Sequence, residues 1–396
     1  MEVAADKLRR IALERQGLLR REPFGRGVNA TLQAIEQLGY VQIDTISVVE
    51  RAHNHVLRSR VPNYTPSHLD KLQRNGKVFE YWYHAAAYLP MSDFRFALPR
   101  MQAMKQGKER WLRSRDQKLM REVLARISAE GPLKARDFQQ QRQSRGGWWN
   151  WQPAKAALEQ LFMQGDLMVQ GREGFQKVYD LTERLLPANI NTRTPNDEEM
   201  AQYLLDTAIR AHGFADRKTI THLRTGAALR DALKAILGAR CEAGDLRAFE
   251  LKNGDTVYAD PQVLAARAPS AAMRAKILSP FDNALIRRDR GQAVFNYDYQ
   301  IECYVTRTER RFGYFCLPLL FQDRFIGRAD CKAHRKQGRF EVKALHIEDA
   351  RLRRKVNPQI AQALTKALWE FAAFNACQTL EFKLVSPPAW QSALSG

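Results

Sequence analysis

The segment with the clearest potential for chemistry is residues 39–44, which read GYVQID. It carries Gln42 and Asp44 two positions apart in an apolar stretch. Residues i and i+2 of a β-strand point to the same face, so an amide and a carboxylate would share one surface while Val41 and Ile43 face the interior. A fixed carboxylate can stabilise positive charge or accept a proton, and an amide can orient water. Gln42 and Asp44 are therefore a candidate catalytic pair.

The same two residues also have a purely structural interpretation. Asp44 could begin a turn ahead of the capping-box-like run at residues 47–50, and Gln42 could be solvated. Elsewhere, the histidines of residues 53–55 have no cysteine or acidic partner that completes a ligand set nearby, and the five cysteines are never spaced as CxxC. The sequence predicts neither a metal site nor a cofactor.

Composition indicates a globular chain with a polyanionic partner. The 396 residues are 45% hydrophobic, which is enough for a sizeable core in two or three structural units. Lys and Arg number 63 against 43 Asp and Glu, which leaves a formal charge of +20 and favours nucleic acid as the partner. The N-terminal region has no signal-peptide apolar run, and no segment is long enough to span a membrane. We expect a cytoplasmic protein with reduced cysteines.

Two stretches of the chain repeat one pattern. In each, a helical run is followed by Gly-Asp-Leu, at residues 165–167 and 244–246, and then by a glycine-containing turn and Val-Tyr, at residues 178–179 and 257–258. A helix, a short strand, a hairpin and a return strand are typical of a winged helix, because the hairpin is the wing. The predicted winged-helix units are residues 1–95, which is the weakest copy and carries the candidate pair, residues 112–191 and residues 196–265.

The remaining part of the chain, residues 275–396, changes to short runs of β-branched and aromatic residues. Closely spaced short strands predict a small antiparallel barrel or sheet. The expected elements are strands at residues 295–307, 312–320, 324–329 and 340–345, and a closing helix at residues 358–375. The predicted fold is therefore α+β, with three tandem winged-helix units packed with a C-terminal small antiparallel β-barrel.

A series of short motifs occurs in one order along the chain. They are QGLL (16–19), VQIDTI (41–46), EYWYHAA (80–86), LPMSDFR (89–95), GGWWNWQP (146–153), FQKVYDLTER (175–184), LSPFD (278–282), ECY (302–304), FGYFCLPLL (312–320) and GRADCKAHR (327–335). In these motifs the chain resembles the bacterial winged-helix DNA glycosylases of the AlkZ/AlkX type, and it is most similar to the YcaQ (AlkX) branch, which acts on interstrand cross-links.

The resemblance implies three winged-helix-like units around a β-barrel and activity on N7-alkylguanine, including nitrogen-mustard-type interstrand cross-links. The family signature is Gln-apolar-Gln, or Gln-apolar-Asp in the YcaQ branch, and residues 42–44 have the second form. Alkylation at N7 puts a positive charge on guanine, so the base can leave as a neutral molecule without a general acid. The tasks that remain are stabilising an oxocarbenium-like sugar and aligning a water. The resemblance assigns the stabilisation of the sugar to Asp44, which could also accept the water proton, and the alignment of the water to Gln42.

Further site residues are predicted from charge or motif. The run at residues 306–311 reads as a hairpin tip, so Arg310 and Arg311 form either a basic finger that probes a DNA groove or a solvated loop. The other candidates for DNA contact are Arg287, Arg290, Lys332 and Arg335. The EYWYHAA motif makes Glu80, Trp82 and His84 a candidate supporting site, and its Tyr83 departs from the more usual EYWAHEA and EYWAHAA forms.

The sequence therefore predicts a monofunctional DNA glycosylase that works as a monomer on double-stranded DNA carrying alkylated or cross-linked guanine. The alternative is a non-enzymatic winged-helix transcription regulator, because this fold more often regulates than catalyses. A regulator would usually dimerise on a symmetric site, whereas repeats within one chain make a monomer sufficient.

Overall fold

The computed structural model describes residues 3–109, 116–138 and 152–395. The chain divides into two compact units, the first formed by Met1–Thr65 with Ala201–Gly396 and the second by Pro66–Met200. Residues 146–151 of the GGWWNWQP motif lie outside the described residues. Among the described helices, none combines the length and the apolar character needed to cross a membrane.

The first unit begins with four short elements. They are α1 (Ala5–Arg15), α2 (Gly27–Leu38), β1 (Val41–Gln42) and α3 (Ala52–Arg58). Helix α2 ends at Gly39, whose φ of 77° is left-handed and turns the chain toward β1. A Cβ atom at Gly39 would lie 2.5 Å from Cγ2 of Thr207, so a side chain is excluded on steric grounds as well. Gly39 thereby fixes where the candidate pair begins.

The second unit contains a β-hairpin and a three-stranded sheet among short helices. Its elements are α4 (Pro66–Arg74), β2 (Val78–Trp82), β3 (Ala86–Pro90), a 3-10 helix (Met91–Ala97), α5 (Leu98–Lys105), α6 (Gln117–Glu130), β4 (Leu133–Lys134), a 3-10 helix (Ala135–Phe138), α7 (Gln152–Met163), β5 (Leu167–Glu173), β6 (Gln176–Leu181) and α8 (Thr182–Leu185). Strands β2 and β3 pair antiparallel, and the sheet has the order β4-β6-β5. Leu133 pairs with Tyr179 of β6, and the 3-10 helix Ala135–Phe138 follows directly.

The second unit includes α4, β2 and β3, which the sequence analysis grouped with the N-terminus as residues 1–95. The physical reason is packing, since the amide of Gln73 in α4 donates a 2.9 Å hydrogen bond to the carbonyl of Val169 in β5. The hydroxyl of Tyr81 in β2 donates a 2.8 Å bond to the carbonyl of Met163 at the end of α7. The boundaries of three winged-helix units remain a prediction.

A similar run of elements follows in the chain. It comprises α9 (Asp197–His212), β7 (Phe214–Ala215), α10 (Arg217–Thr221), α11 (Ala227–Glu242), β8 (Arg247–Glu250), β9 (Thr256–Ala259) and α12 (Pro261–Ala265). The strands form a sheet of order β7-β9-β8, in which the turn between β8 and β9 holds Gly254 at a φ of 84°. The order helix, strand, helix, helix and hairpin is the one expected of a winged helix.

The C-terminal part of the first unit is built on a six-stranded sheet. Its elements are β10 (Ala275–Ile277), α13 (Arg288–Phe295), β11 (Cys316–Phe321), β12 (Arg324–His334), β13 (Arg339–Ile347), α14 (Ala350–Arg354), α15 (Pro358–Phe374), β14 (Thr379–Phe382), β15 (Val385–Ser386) and α16 (Ala389–Ser395). The sheet order is β10-β11-β12-β13-β14, and β15 also pairs with β13. Helix α15 packs on this sheet through Leu364, Leu368 and Phe371.

Two details of the predicted barrel are corrected by this sheet. It is mixed rather than antiparallel, because β14 and β15 run parallel to β13 after the crossover through α15. The strand predicted at residues 295–307 is absent from the described structure, since α13 continues to Phe295 and Asn296 ends it with a φ of 51°. Tyr297 and Tyr299 are aromatic at alternate positions, as in a strand, but they do not belong to one. Their rings stack on each other in the core, with centroids 5.8 Å apart.

Candidate active site

The candidate pair lies at the end of β1. An amide hydrogen of Asn283 donates a 3.0 Å bond to the carbonyl of Tyr40, which holds the start of the strand. The strand stops at Gln42, and residues 43–46 continue without helix or strand. Val41 and Ile43 are buried as expected, but Gln42 is buried too, with 7% of its surface exposed. Asp44 alone of the pair is half-buried and reaches the surface.

Asp44 also has the structural role that the sequence allowed. Its Oδ1 accepts a 2.7 Å hydrogen bond from the backbone N–H of Ile46, which closes a turn of the kind that aspartate favours. Burial raises the pKa of Asp44 above its ordinary value of 3.8, and the bond from Ile46 acts in the opposite direction. The turn fixes the carboxylate in place and leaves its charge uncompensated by any salt bridge among the described residues.

The segment at residues 302–313, here called the 302–313 loop, approaches Asp44. Burial and then the negative charge of Asp44 raise the pKa of the Cys303 thiol. Burial, Cys303 and Asp44 in turn raise the pKa of the Tyr304 phenol, so both groups are neutral near pH 7. Tyr304 is 74% exposed. The fixed carboxylate of Asp44 and the exposed Tyr304 are therefore close enough to interact electrostatically.

Two buried or half-buried carboxylates hold this loop in shape. Glu302 accepts hydrogen bonds of 2.8–2.9 Å from the backbone N–H groups of Arg311, Phe312 and Gly313. Burial opposes ionisation of Glu302, but these three donors lower its pKa below the ordinary value. Asp330 of β12 accepts from the next two N–H groups along the chain, at 3.1 and 3.2 Å. These hydrogen bonds attach the C-terminal end of the loop to β12 of the sheet.

Gly313 is the position at which this loop is most sensitive to substitution. Its φ is 143°, and a Cβ atom there would lie 2.5 Å from Oδ2 of Asp330. We expect Gly313→Ala to slow the base excision that the resemblance predicts by roughly ten- to a hundredfold, because a displaced loop misplaces the groups near Asp44. The matched control is Gly254→Ala, which also has a positive φ of 84° but meets no atom within 4 Å. Single-turnover excision rates of the two variants make the comparison, and equal rates would contradict the role of the loop.

The predicted basic finger is present as part of this loop, but it is not a hairpin tip. Residues 307–309 form a 3-10 turn, and the preceding residues 296–306 are not a strand. Arg310 donates a 3.0 Å bond to the carbonyl of Val305 and lies over the Tyr314 ring. Arg311 is exposed, and its guanidinium lies over the Phe312 ring. Of the two, Arg311 is the more accessible to a phosphate.

Lys332 and Arg335 are exposed, as a DNA contact requires. Arg335 donates bonds to the carbonyl of Ser47 at 3.1 Å and to Oδ1 of Asn375 at 3.2 Å. Because Ser47 lies three residues after Asp44, Arg335 places a positive charge beside the segment that carries the carboxylate. It therefore also helps to fix that segment against β12.

Arg287 and Arg290 do not fit the predicted role in phosphate contact. Arg287 pairs with Asp289 and lies 3.8 Å from the carboxylate of Asp216, so its charge is already balanced. Arg290 is only 6% exposed and lies over the ring of Phe214. Burial lowers the pKa of Arg290 to about 10. The charge of these two residues is evident from the sequence, but the packing and ion pairs that cover them depend on the fold.

The candidate supporting residues Glu80, Trp82 and His84 belong to the second unit. Glu80 is buried in a bidentate ion pair with Arg172, with distances of 2.7 and 2.9 Å, and Lys177 lies 3.4 Å away. Trp82 is half-buried, with Arg100 over its ring, and His84 is half-buried with its ring 6.0 Å from that of Tyr83. Within this unit, Glu80 joins the hairpin to the β5–β6 sheet.

A buried ion pair gives a structural role to two further motifs, QGLL and LSPFD. Arg60 and Asp282 are both 0% exposed and form a bidentate pair at 2.8 and 2.9 Å. Arg60 also donates to the backbone carbonyls of Gln16 and Val56, at 2.7 and 3.0 Å. The pair thereby joins the QGLL and LSPFD motifs to the end of α3.

Tyr304, Glu302 and Asp330 were not predicted as site residues from the sequence. All three lie in motifs of the resemblance, ECY and GRADCKAHR, so a signal was present. No local periodicity relates ECY to a carboxylate about 260 positions earlier, because only the fold brings them together.

Comparison with known proteins gives a family match and matches among solved structures. A family model described as DNA glycosylase AlkZ-like matches residues 35–374. Among solved structures, the Streptomyces sahachiroi DNA glycosylase AlkZ is similar with a TM-score of 0.64 and 15% sequence identity, over 97% of this chain and 100% of that chain. At that identity the structural match establishes a shared fold. The family match covers most of the chain and includes residues 42–44 and the 302–313 loop.

Proposed function

Because the chain belongs to the AlkZ-like DNA glycosylase family and is accordingly a DNA repair glycosylase, we propose that it hydrolyses the N-glycosidic bond of N7-alkylated guanine. Asp44 and Gln42 are the proposed catalytic pair. One observation carries the proposal: the half-buried Asp44 carboxylate is fixed by its turn and acts electrostatically on the exposed Tyr304. The non-enzymatic regulator considered for the sequence does not account for the family match.

The proposed reaction needs charge stabilisation rather than acid catalysis. As the bond between C1′ and N9 breaks, its electron pair moves to the cationic base, which leaves as a neutral molecule. Positive charge develops on the sugar, where a fixed carboxylate in a partly desolvated site stabilises it. Water forms the new bond to C1′ and loses a proton to Asp44, and Gln42 orients that water. The exposed ring of Tyr304 stacks on the flat lesion base.

We further propose that the substrates include interstrand cross-links that join two guanines through N7, as in the YcaQ branch. A base tethered to both strands cannot swing fully into an enclosed pocket. A site at the surface, with Tyr304 exposed, suits such a base. We propose that the protein acts as a monomer and that Arg311 and Lys332 contact DNA phosphates.

The test of this substrate class uses a duplex with one nitrogen-mustard cross-link between N7 positions. On a denaturing gel, the protein should convert the cross-linked band into two single strands, one of which carries an abasic site. A duplex with a single N7 monoadduct should be processed as well, and undamaged duplex should be left intact. Processing of the monoadduct without unhooking would restrict the function to monoadducts, and processing of neither would contradict the proposal.

The rate of base excision should fall as the pH is lowered. The active form of Asp44 is the ionised carboxylate, and burial raises its pKa above 3.8. The rate should therefore be full at neutral pH and fall as the pH drops, with a midpoint above 3.8. The measurement is single-turnover excision over pH, corrected for depurination without protein. The same acid limb in an Asp44→Asn variant would assign the titration to another group.

A further inference from the structure

A second concave surface lies in the first unit, apart from the residues used in the proposed reaction. It is a pocket of about 240 Å³ that adjoins a recess of about 70 Å³. The two share five lining residues from β10, α15 and the chain after α1, namely Arg21, Arg274, Ala275, Ala367 and Glu370. The lining includes five cationic side chains, so we call it the cation pocket and define it by Arg21, Arg58, Arg274, Lys276 and Lys366.

The positive charges of the cation pocket are only partly balanced. Glu370 is the acidic residue in the lining, and it pairs with Arg274 at 3.3 Å. Arg21 lies 3.9 Å from a carboxylate oxygen of Glu22, which makes a closer 2.6 Å pair with Arg26. The ammonium group of Lys276 donates its 2.5 Å bond to a neutral acceptor, the carbonyl of Ser59. Within the described residues, the pocket therefore carries an excess of positive charge.

Arg58 and Lys276, both among the five cations, are half-buried. Burial, followed by repulsion from Arg60 and Arg274, lowers the pKa of Lys276 to about 7. Burial also lowers the pKa of Arg58; attraction to Glu370 opposes this shift, and repulsion from Arg274 adds to it. Desolvated like charges cost free energy in the unliganded protein, and an anion bound among them would remove that cost.

The chemistry of the lining selects a particular kind of anion. Arginine forks match the oxygens of phosphate groups in geometry, and three of the five cations are arginines. His55 lines the recess, where it stacks on Phe371 at 4.3 Å and its Nε2 donates to the carbonyl of Ile277 at 2.9 Å. Its Nδ1 is buried and has no hydrogen-bond partner among the described residues. The neutral imidazole therefore offers no N–H donor to an anion, and the arginines and Lys276 supply the recognition.

We propose that the cation pocket binds a phosphate group, either a backbone phosphodiester of DNA or a free phosphate monoester. The two sources share the chemistry that the arginines and Lys276 recognise. The site is independent of Asp44 and Gln42, so it adds a binding function to the proposed reaction. A backbone phosphate would help to position the duplex, whereas a free phosphate would act as a separate ligand.

The first experiment measures thermal unfolding of the full chain in inorganic phosphate against chloride at equal ionic strength. Ligand binding to the native state stabilises it in proportion to the logarithm of the ligand concentration, so the wild-type midpoint should rise with phosphate. Lys276→Met keeps the hydrocarbon stem and should abolish that rise. Without phosphate, the variant should unfold at the wild-type temperature or above, because one crowded charge is gone. Lys343→Met, on β13, is the control and should respond to phosphate as wild type does.

The second experiment identifies the source of the phosphate. Affinity for undamaged duplex is measured over salt, where each phosphate contact contributes about 0.9 to the log-log slope. A slope lowered by about that amount in Lys276→Met assigns the pocket to the DNA backbone. An unchanged slope together with a lost phosphate response assigns it to a free monoester. The proposal is overturned if the phosphate response survives in Lys276→Met, or if wild type shows none and the slope is unchanged. If Lys276→Met does not fold, Arg21→Gln, whose side chain is 71% exposed, takes its place.

Discussion

Asp44→Asn should lose base excision by about 100-fold or more while keeping the affinity of wild type for duplex DNA. The substitution removes the negative charge and the proton acceptor but nearly preserves the shape. An asparagine oxygen can still accept the 2.7 Å hydrogen bond from Ile46, so the turn should persist. The loss would then report the charge itself. Gln42→Ala should slow excision less, because water can partly replace an orienting amide.

The structure offers a matched control for this substitution. Asp260 accepts a 2.7 Å bond from the backbone N–H two residues later, as Asp44 does, but it caps helix α12. If Asp44 were only a turn residue, Asp44→Asn and Asp260→Asn would have the same small effect. We expect Asp260→Asn to excise at the wild-type rate. Single-turnover rates at saturating protein, with binding titrations beside them, separate lost chemistry from lost affinity.

Asp282→Leu should lower the free energy of unfolding by about 3–5 kcal/mol, because it leaves the charge of Arg60 buried without its partner. The reason is the complete burial of both groups and the bidentate geometry of their contact. Arg60→Met should lower the free energy of unfolding by a comparable amount, because it leaves the charge of Asp282 buried without its partner. The double variant Arg60→Met/Asp282→Leu should be far more stable than the sum of the two losses predicts, since no charge then remains buried.

Chemical denaturation of the four proteins in this cycle measures the coupling directly. The exposed pair Glu22–Arg26 provides the control, and the corresponding single substitutions there should leave the free energy of unfolding nearly unchanged. Additive losses from Arg60 and Asp282 would show that the two groups are not coupled. That result would contradict the account of how the LSPFD and QGLL motifs stabilise the fold.

The parts of the fold that sequence predicted well are those set by local signals. The helical run predicted before residues 244–246 is α11, and the glycine-containing turn predicted after it is the turn at Gly254. Helix periodicity and glycine turns act over a few residues, so they are visible in a single sequence. The mixed α+β character of the fold follows from these elements.

The errors come from interactions between distant parts of the chain. Parallel pairing of β14 with β13 depends on the crossover through α15, and no local pattern in residues 379–382 distinguishes it from antiparallel pairing. The aromatic alternation at Tyr297 and Tyr299 resembled a strand, although core stacking produces it. Arg290 showed its charge in the sequence but not the Phe214 ring that covers it.

In the candidate site, too, local motifs were visible in the sequence and contacts between distant residues were not. A resemblance of motifs identified Gln42 and Asp44, and the structure adds the turn at Ile46 and the neighbouring Cys303 and Tyr304. Burial of Gln42 was not expected from strand alternation, since β1 ends at that residue and both of its faces are covered. Its buried amide is held by the protein, which suits a group that must orient one water.

The central claim is that this glycosylase releases an N7-alkylated guanine by hydrolysis. The most direct measurement incubates wild-type protein with a duplex carrying one N7-methylguanine and follows both the free base and the DNA strand. The account predicts that free N7-methylguanine appears together with an equal amount of abasic site, and that the strand breaks only after treatment with alkali. Persistence of the intact lesion, or strand cleavage without alkali, would contradict it.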